Sequence, residues 1–185
     1  MEEIRILDIG EITKNIKEMC IEANYFLSED MKNVFQKAKE KEQSPIGKQI
    51  LNQLDENLSI AEKDNIPICQ DTGMAVVFIT VGQDVHLTGG NLTDAVNEGV
   101  RQGYQEGFLR KSVVADPIYR ENTKDNTPAI IYYDITDGNG VEITVAPKGF
   151  GSENMSRVFM LKPADGIDGI KEAVLTAVKD AGPNA

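Results

Sequence analysis

The hydrophobic period of this chain changes at Asn65-Ile66-Pro67. Before that point apolar residues recur at helical spacing; after it, short β-branched runs are mixed with further helical stripes. Helices followed by mixed strands and helices specify an α+β fold. Within residues 11–63, Ile12, Ile16, Met19, Cys20, Ala23 and Leu27 form one helical stripe. Ser28 is a cap for a second helix with Val34, Phe35 and Ala38 facing inward. Ser44-Pro45, a cap followed by proline at the first helical position, opens a third helix carrying Ile46, Ile50, Leu51, Leu54 and Leu58.

Past the change, Met74–Val81 reads as a buried strand ending at Gly82. Gly89-Gly90-Asn91 breaks the chain and caps a helix whose stripe is Leu92, Ala95, Val96, Val100, Tyr104 and Phe108. Gly99, Gly103 and Gly107 lie four apart on it. Each costs about 1 kcal/mol relative to alanine in a helix. The row therefore signals close approach of another backbone. Ala129–Thr136 and Val141–Pro147, joined by Asp137-Gly138-Asn139-Gly140, predict a β-hairpin. Val158–Leu161 predicts one more strand, and residues 165–180 a last helix with the pattern Ile167, Ile170, Ala173, Val174 and Val178. With no internal repeat, low-complexity tract or linker, residues 1–185 read as a single α+β domain, helical over 1–63 and mixed over 64–185.

The formal net charge of −11 repels phosphate backbones and anionic lipid, so neither nucleic acid nor a membrane surface is an expected partner. An anionic substrate needs a local basic pocket. No apolar run reaches the roughly 18 residues of a membrane span. The acidic start, Met1-Glu2-Glu3-Ile4-Arg5, is no secretory signal. A cytoplasmic location is the expectation. There a disulfide between the two cysteines, Cys20 and Cys69, is not expected. Two thiols and the single histidine are too few for an ordinary four-ligand zinc site.

Four polar, glycine-rich segments lie at element ends, where functional loops concentrate. In Cys69-Gln70-Asp71-Thr72-Gly73 a thiol that can ligate metal stands two residues from a carboxylate that can move a proton. Taken alone, the stretch reads more readily as a buried cysteine beside a turn. Arg110-Lys111-Ser112 follows the glycine-spaced helix. Its cations either complement the helix C-terminus or place Arg110 to clamp a carboxylate. Residues 120–128 read mostly as a solvated loop, with Asn122 and Asn126 as candidates for side-chain bonds that brace a site. In Lys148-Gly149-Phe150-Gly151-Ser152-Glu153-Asn154 two glycines leave N–H groups open to an anion; the plain alternative is a strand-ending turn. Cys20 sits on an apolar helical face and reads as core. His86 lies in what reads as an exposed connection, Asp84–Thr88, and is not favoured as a catalytic base.

In this order the segments resemble the α subunit, or N-terminal domain, of the iron–sulfur (class I) fumarase and L-tartrate dehydratase family. The matching stretches are Pro67–Gly73, Asn122–Ala129, Lys148–Asn154 and Ala181–Ala185, so the likeness covers essentially the whole chain. The resemblance implies a hydro-lyase whose [4Fe–4S] cluster is held by three cysteines, with one iron open to substrate. Carried over by position, Cys69 is the first cluster ligand. Gln70 and Arg110 bind a substrate carboxylate, Asp71 is the acid/base, and Gly149, Phe150 and Gly151 help hold the dicarboxylate. In the family a further cluster cysteine follows the stretch matching Gly182–Ala185. A third ligand, a catalytic histidine and basic groups from a β subunit come from elsewhere. The expectation is therefore an amino-terminal fragment of an α subunit that works with a β subunit, in a homo- or hetero-oligomer, inactive and without cluster by itself. Fumarate/malate is the first substrate pair and L-tartrate the second. A third reading is a non-catalytic module that docks a β subunit or dimerises through its glycine row.

Overall fold

The structure, a computed structural model, describes residues 4–182; the side chains of Ser152 and Glu153, and the end of the last matched stretch, Pro183-Asn184-Ala185, lie outside the described residues. The chain divides into two compact units, Met1–Lys148 and Gly149–Ala185. The elements of the first are β1 (Arg5–Asp8), α1 (Ile9–Tyr25), α2 (Glu29–Lys41), α3 (Pro45–Asp64), β2 (Met74–Gly82), β3 (Val85–Thr88), α4 (Leu92–Glu106), β4 (Ile130–Thr136) and β5 (Val141–Lys148). The class is α+β, as the change of period requires. α3 ends where that change occurs: Asn65 adopts the left-handed conformation (φ 52°) and returns its N–H to Ala61 O.

The core lies between α1, α4 and one face of a three-stranded sheet ordered β4-β2-β5. Ile12, Ile16 and Cys20 of α1 meet Val96, Val100 and Tyr104 of α4, with Ala75, Val77 and Ile79 of β2 among the same buried cluster. The glycine row faces α1. A Cβ at Gly99 would stand 2.6 Å from Thr13 O, and one at Gly103 2.9 Å from Lys17 O and 2.8 Å from Cys20 Cβ. The close backbone predicted from the row is thus α1, which removes the row as the surface of a docking module. Thr13 Oγ1 donates to Ala95 O (2.9 Å) and Tyr25 Oη to Gly107 O (2.8 Å), fastening both ends of the contact.

Several expectations need correction. β2 is a strand, but only its alternate residues are buried; Phe78 points to the other face and stacks on Tyr132 of β4, centroids 5.1 Å apart. β4 and β5 are joined by the predicted turn but do not pair with each other. β2 runs between them, parallel to β4 and antiparallel to β5. The Asp137–Gly140 loop arches over the end of β2: Gly82 N–H donates to Gly140 O (2.8 Å) and Asp84 N–H to Gly138 O (2.9 Å). Turn composition reports where the chain reverses; the more apolar middle strand decides the pairing. Two short strands were not foreseen. β1 pairs in parallel with β3, so His86 sits exposed on a strand and not in a connection. In α2 and α3 only Ala61 is buried; Val34, expected inward, is exposed, and so are Ile46, Ile50 and Leu54 of the third helix's apolar pattern.

The second unit holds 3₁₀ turns at Gly151–Met155 and Pro163–Asp165 and the helix α5 (Gly166–Ala181). The strand expected at Val158–Leu161 is absent: these residues join no ladder among the described residues and are exposed. Ile167, Ile170, Val174 and Val178 of α5 are likewise exposed. No helix among the described residues is long and apolar enough to cross a membrane.

Candidate functional site

The Cys69–Gly73 loop is fixed at both ends. Ile68, the residue before the cysteine, donates its N–H to Asn24 O of α1 and accepts from Asn57 Nδ2 of α3, each at 2.9 Å. Beyond it, Asp71 N–H points at Cys69 Sγ (3.4 Å), and Gly73 N–H donates to Asp71 Oδ1 (3.1 Å). That second bond closes an Asx turn, for which Gly73 takes φ 59°. Cys69 and Gln70 are exposed, and the thiol lies 3.5 Å from Gln70 Oε1. The cysteine is therefore not the buried one that a plain turn would carry. Asp71 is half-buried.

The next residue anchors the loop. Thr72 is buried; its Oγ1 donates to Arg110 O (3.1 Å) and its carbonyl accepts from Tyr104 Oη (2.7 Å). Arg110 and Lys111 are not at a helix end: α4 stops at Glu106 and has no basic residue in its last turn. Gly107 caps the helix, Phe108 turns the chain at φ 50°, and Leu109, buried, sets the Arg110 backbone against Thr72. Thus the Cys69–Gly73 loop and the Arg110 segment, expected to share a site, are side by side.

The polar loop 120–128 supplies the brace foreseen for it. Asn126 is fully buried. Its Oδ1 accepts from Ser112 N–H (2.7 Å) and Val113 N–H (3.1 Å), and its Nδ2 donates to Gly73 O (3.1 Å). Asn122 Nδ2 donates to Lys111 O (2.9 Å). Burial pushes the Asp125 carboxyl up, but the Thr127 N–H and the Thr127 and Thr123 hydroxyls outweigh it and hold the group below its ordinary value. Sequence reasoning missed the linking roles of Thr72 and Tyr104. The sequence offers a hydroxyl inside the loop and a tyrosine on the α4 stripe, but nothing that pairs them.

Gly149, Phe150 and Gly151 open the second unit, where Gly151 begins the 3₁₀ turn that ends at Met155. Cys20 is fully buried on α1, and burial pushes its thiol up to about 12, so it stays protonated. A [4Fe–4S] cluster needs several thiolates. Of the two cysteines only Cys69 is exposed. No group of three or more His, Cys, Asp and Glu that could hold a metal is gathered among the described residues. The donor set fits one corner of such a cluster and not the whole of it.

Comparison with known proteins adds the following. A family model described as Fumarate hydratase (Fumerase) matches residues 13–185. A Methanocaldococcus jannaschii protein, provisionally named L(+)-tartrate dehydratase subunit alpha, is 41% identical over 178 residues, covering 93% of this chain and 62% of that protein. The L(+)-tartrate dehydratase subunits alpha of Escherichia coli and Shigella sonnei are each 26% identical over 182 residues, covering 96% of this chain and 59% of theirs. The chain thus spans less than two thirds of the length of these curated relatives.

Proposed function

The chain belongs to the fumarate hydratase (Fumerase) family, and on that premise we propose that it forms the amino-terminal part of the α subunit of an iron–sulfur hydro-lyase acting on a four-carbon dicarboxylate. The observation that carries the reading is the bracing of the Cys69-Gln70-Asp71 loop against the Arg110 segment through Thr72 and Asn126. Reversible dehydration removes a proton from one carbon and hydroxide from its neighbour, leaving a double bond. The proton needs a base within reach, and the substrate carboxylates need cations or donors.

In this scheme Asp71 exchanges the carbon-bound proton, its carboxylate oriented by the Gly73 N–H. Arg110 meets a substrate carboxylate with its planar fork, and Gln70 supplies an amide donor beside it. On the family resemblance alone, Gly149, Phe150 and Gly151 are assigned to dicarboxylate binding. Cys69 would hold one iron of the cluster, which when bound supplies a Lewis acid for the leaving hydroxide. The remaining thiolates come from outside these 185 residues, and a β subunit completes the substrate site. A free, exposed thiol of this kind suits the reducing cytoplasm.

Fumarate hydration to malate is the first reading of the substrate. L-tartrate is the second, favoured by the names of the relatives at 41% and 26% identity. The test is anaerobic reconstitution of the complete αβ enzyme containing this chain with iron and sulfide, followed by assay on fumarate, malate and L-tartrate. Interconversion of fumarate and malate is expected. Turnover of L-tartrate alone selects the second reading, and a cluster-loaded complex inert to all three acids refutes the proposal.

A further inference from the structure

We infer that Asn126 is a positioning residue for this reaction: its amide sets the spacing between the Cys69-Gln70-Asp71 loop and the Arg110 segment. The inference rests on the hydro-lyase reading of that site. Asn126 is fully buried and held at φ 63°, in the left-handed region that asparagine tolerates better than most residues. Both ends of its amide are used. Oδ1 takes the N–H groups of Ser112 and Val113, just past Arg110, while Nδ2 gives to Gly73 O, just past Asp71. A single planar group therefore fixes the distance between the segment that would bind a carboxylate and the loop that would move the proton.

The amide cannot be replaced in full. Aspartate keeps the acceptor for Ser112 and Val113 but turns a second oxygen on the Gly73 carbonyl. Alanine removes all three bonds. Thr72 still ties Gly73's neighbour to Arg110 O in either variant, and Tyr104 still holds Thr72 O. The fold thus keeps two links when Asn126 is changed, while the fine spacing loses its ruler. Misplacement of a reacting group by about 1 Å can cost on the order of 10²-fold in rate.

The experiment uses the complete, cluster-loaded αβ enzyme and compares the unaltered protein with Asn126→Asp and Asn126→Ala. Asn126→Asp is expected to lower kcat about tenfold or more with KM changed less than about threefold, because the Arg110 side stays anchored and the Asp71 side does not. Asn126→Ala is expected to lower kcat and raise KM together. Amide hydrogen exchange gives a readout apart from activity: Ser112 and Val113 lose protection in Asn126→Ala, keep it in Asn126→Asp, and the β2 amides are unchanged in both. Kinetic constants within about twofold of the unaltered enzyme in both folded variants overturn the inference. So does failure of both variants to fold, since the amide would then act through the whole fold. If the unaltered enzyme is itself inert to these acids, the hydro-lyase reading fails first and this inference with it.

Discussion

Cys69 and Cys20 carry the same thiol in opposite surroundings, and that difference predicts their chemistry. Cys69 is exposed beside Gln70 and Asp71, and Cys20 is fully buried between α1 and α4. A soluble alkylating reagent at mild alkaline pH is expected to modify one thiol in the native chain and the second only after unfolding, with peptide mapping identifying Cys69 as the first. Cys20 also predicts how stability changes in alkali. Its thiol titrates at its ordinary 9.0 when unfolded and at about 12 when folded, because burial penalises the thiolate. Its contribution is therefore fully present below pH 9.0 and is lost as pH rises toward 12. The loss is about 1.4 kcal/mol per pH unit at its steepest. Tyr104, raised by burial and by the nearby Cys20, adds a loss of the same sign. Denaturant unfolding across this range measures the slope, and Cys20→Ala is expected to flatten it.

At this scale, the asparagine bracing around the candidate site was legible in the sequence. A thiol, an acid and a glycine packed together are scarce enough to draw notice, and an asparagine in a loop without apolar side chains suggests a bond to backbone. Thr72 and Tyr104 were not legible as links. Their partners are backbone carbonyls 38 and 32 residues away, and no local pattern encodes such a meeting.

Among elements, the contact between α1 and α4 is the most specific. Gly103 is its centre, where an added Cβ would meet both the Lys17 carbonyl and Cys20. A backbone oxygen cannot swing aside as a flexible side chain can. Gly103→Leu is expected to destabilise the chain by ~1–3 kcal/mol, lowering Tm by about 2–4 °C for each kcal/mol. Gly140→Ala serves as a control, since nothing stands within 4 Å of its Cβ position. Calorimetry on both variants checks the contrast. The glycine row announced this contact because bulk is excluded there whatever the partner is. The strand pairing was not announced. Asp137-Gly138-Asn139-Gly140 has the composition of a tight hairpin, yet Gly82 fills the arch, and a Cβ there would lie 2.2 Å from Gly138 O. Local turn chemistry is silent on a third strand whose residues pair with β4 partners 54 positions later in the chain, as Val76 does with Ile130. The exposed faces of α2, α3 and α5 make the same point in reverse: an amphipathic stripe identifies a helix, not what covers it.

For the molecule as a whole, the change of period at Asn65-Ile66-Pro67 marks the end of α3, but it does not separate two bodies. α1, from the first third of the chain, packs on α4 and β5 and supplies Ile12, Ile16, Cys20 and Tyr25 to the core. The same segment also holds the site, through the bond from Ile68 N–H to Asn24 O. The helical start therefore has a direct part in placing Cys69. On the function proposed above, this cysteine holds one iron of a catalytic iron–sulfur cluster in a dicarboxylate hydro-lyase. The most direct test of that role is Cys69→Ala in the complete, anaerobically reconstituted αβ enzyme, with iron, sulfide and turnover measured together. Loss of the cluster's iron and a fall in turnover of about 10³-fold or more are expected, as when a Lewis acid worth several kcal/mol is removed. A Cys69→Ala enzyme that keeps a full complement of iron and sulfide and turns over at the unaltered rate would contradict it.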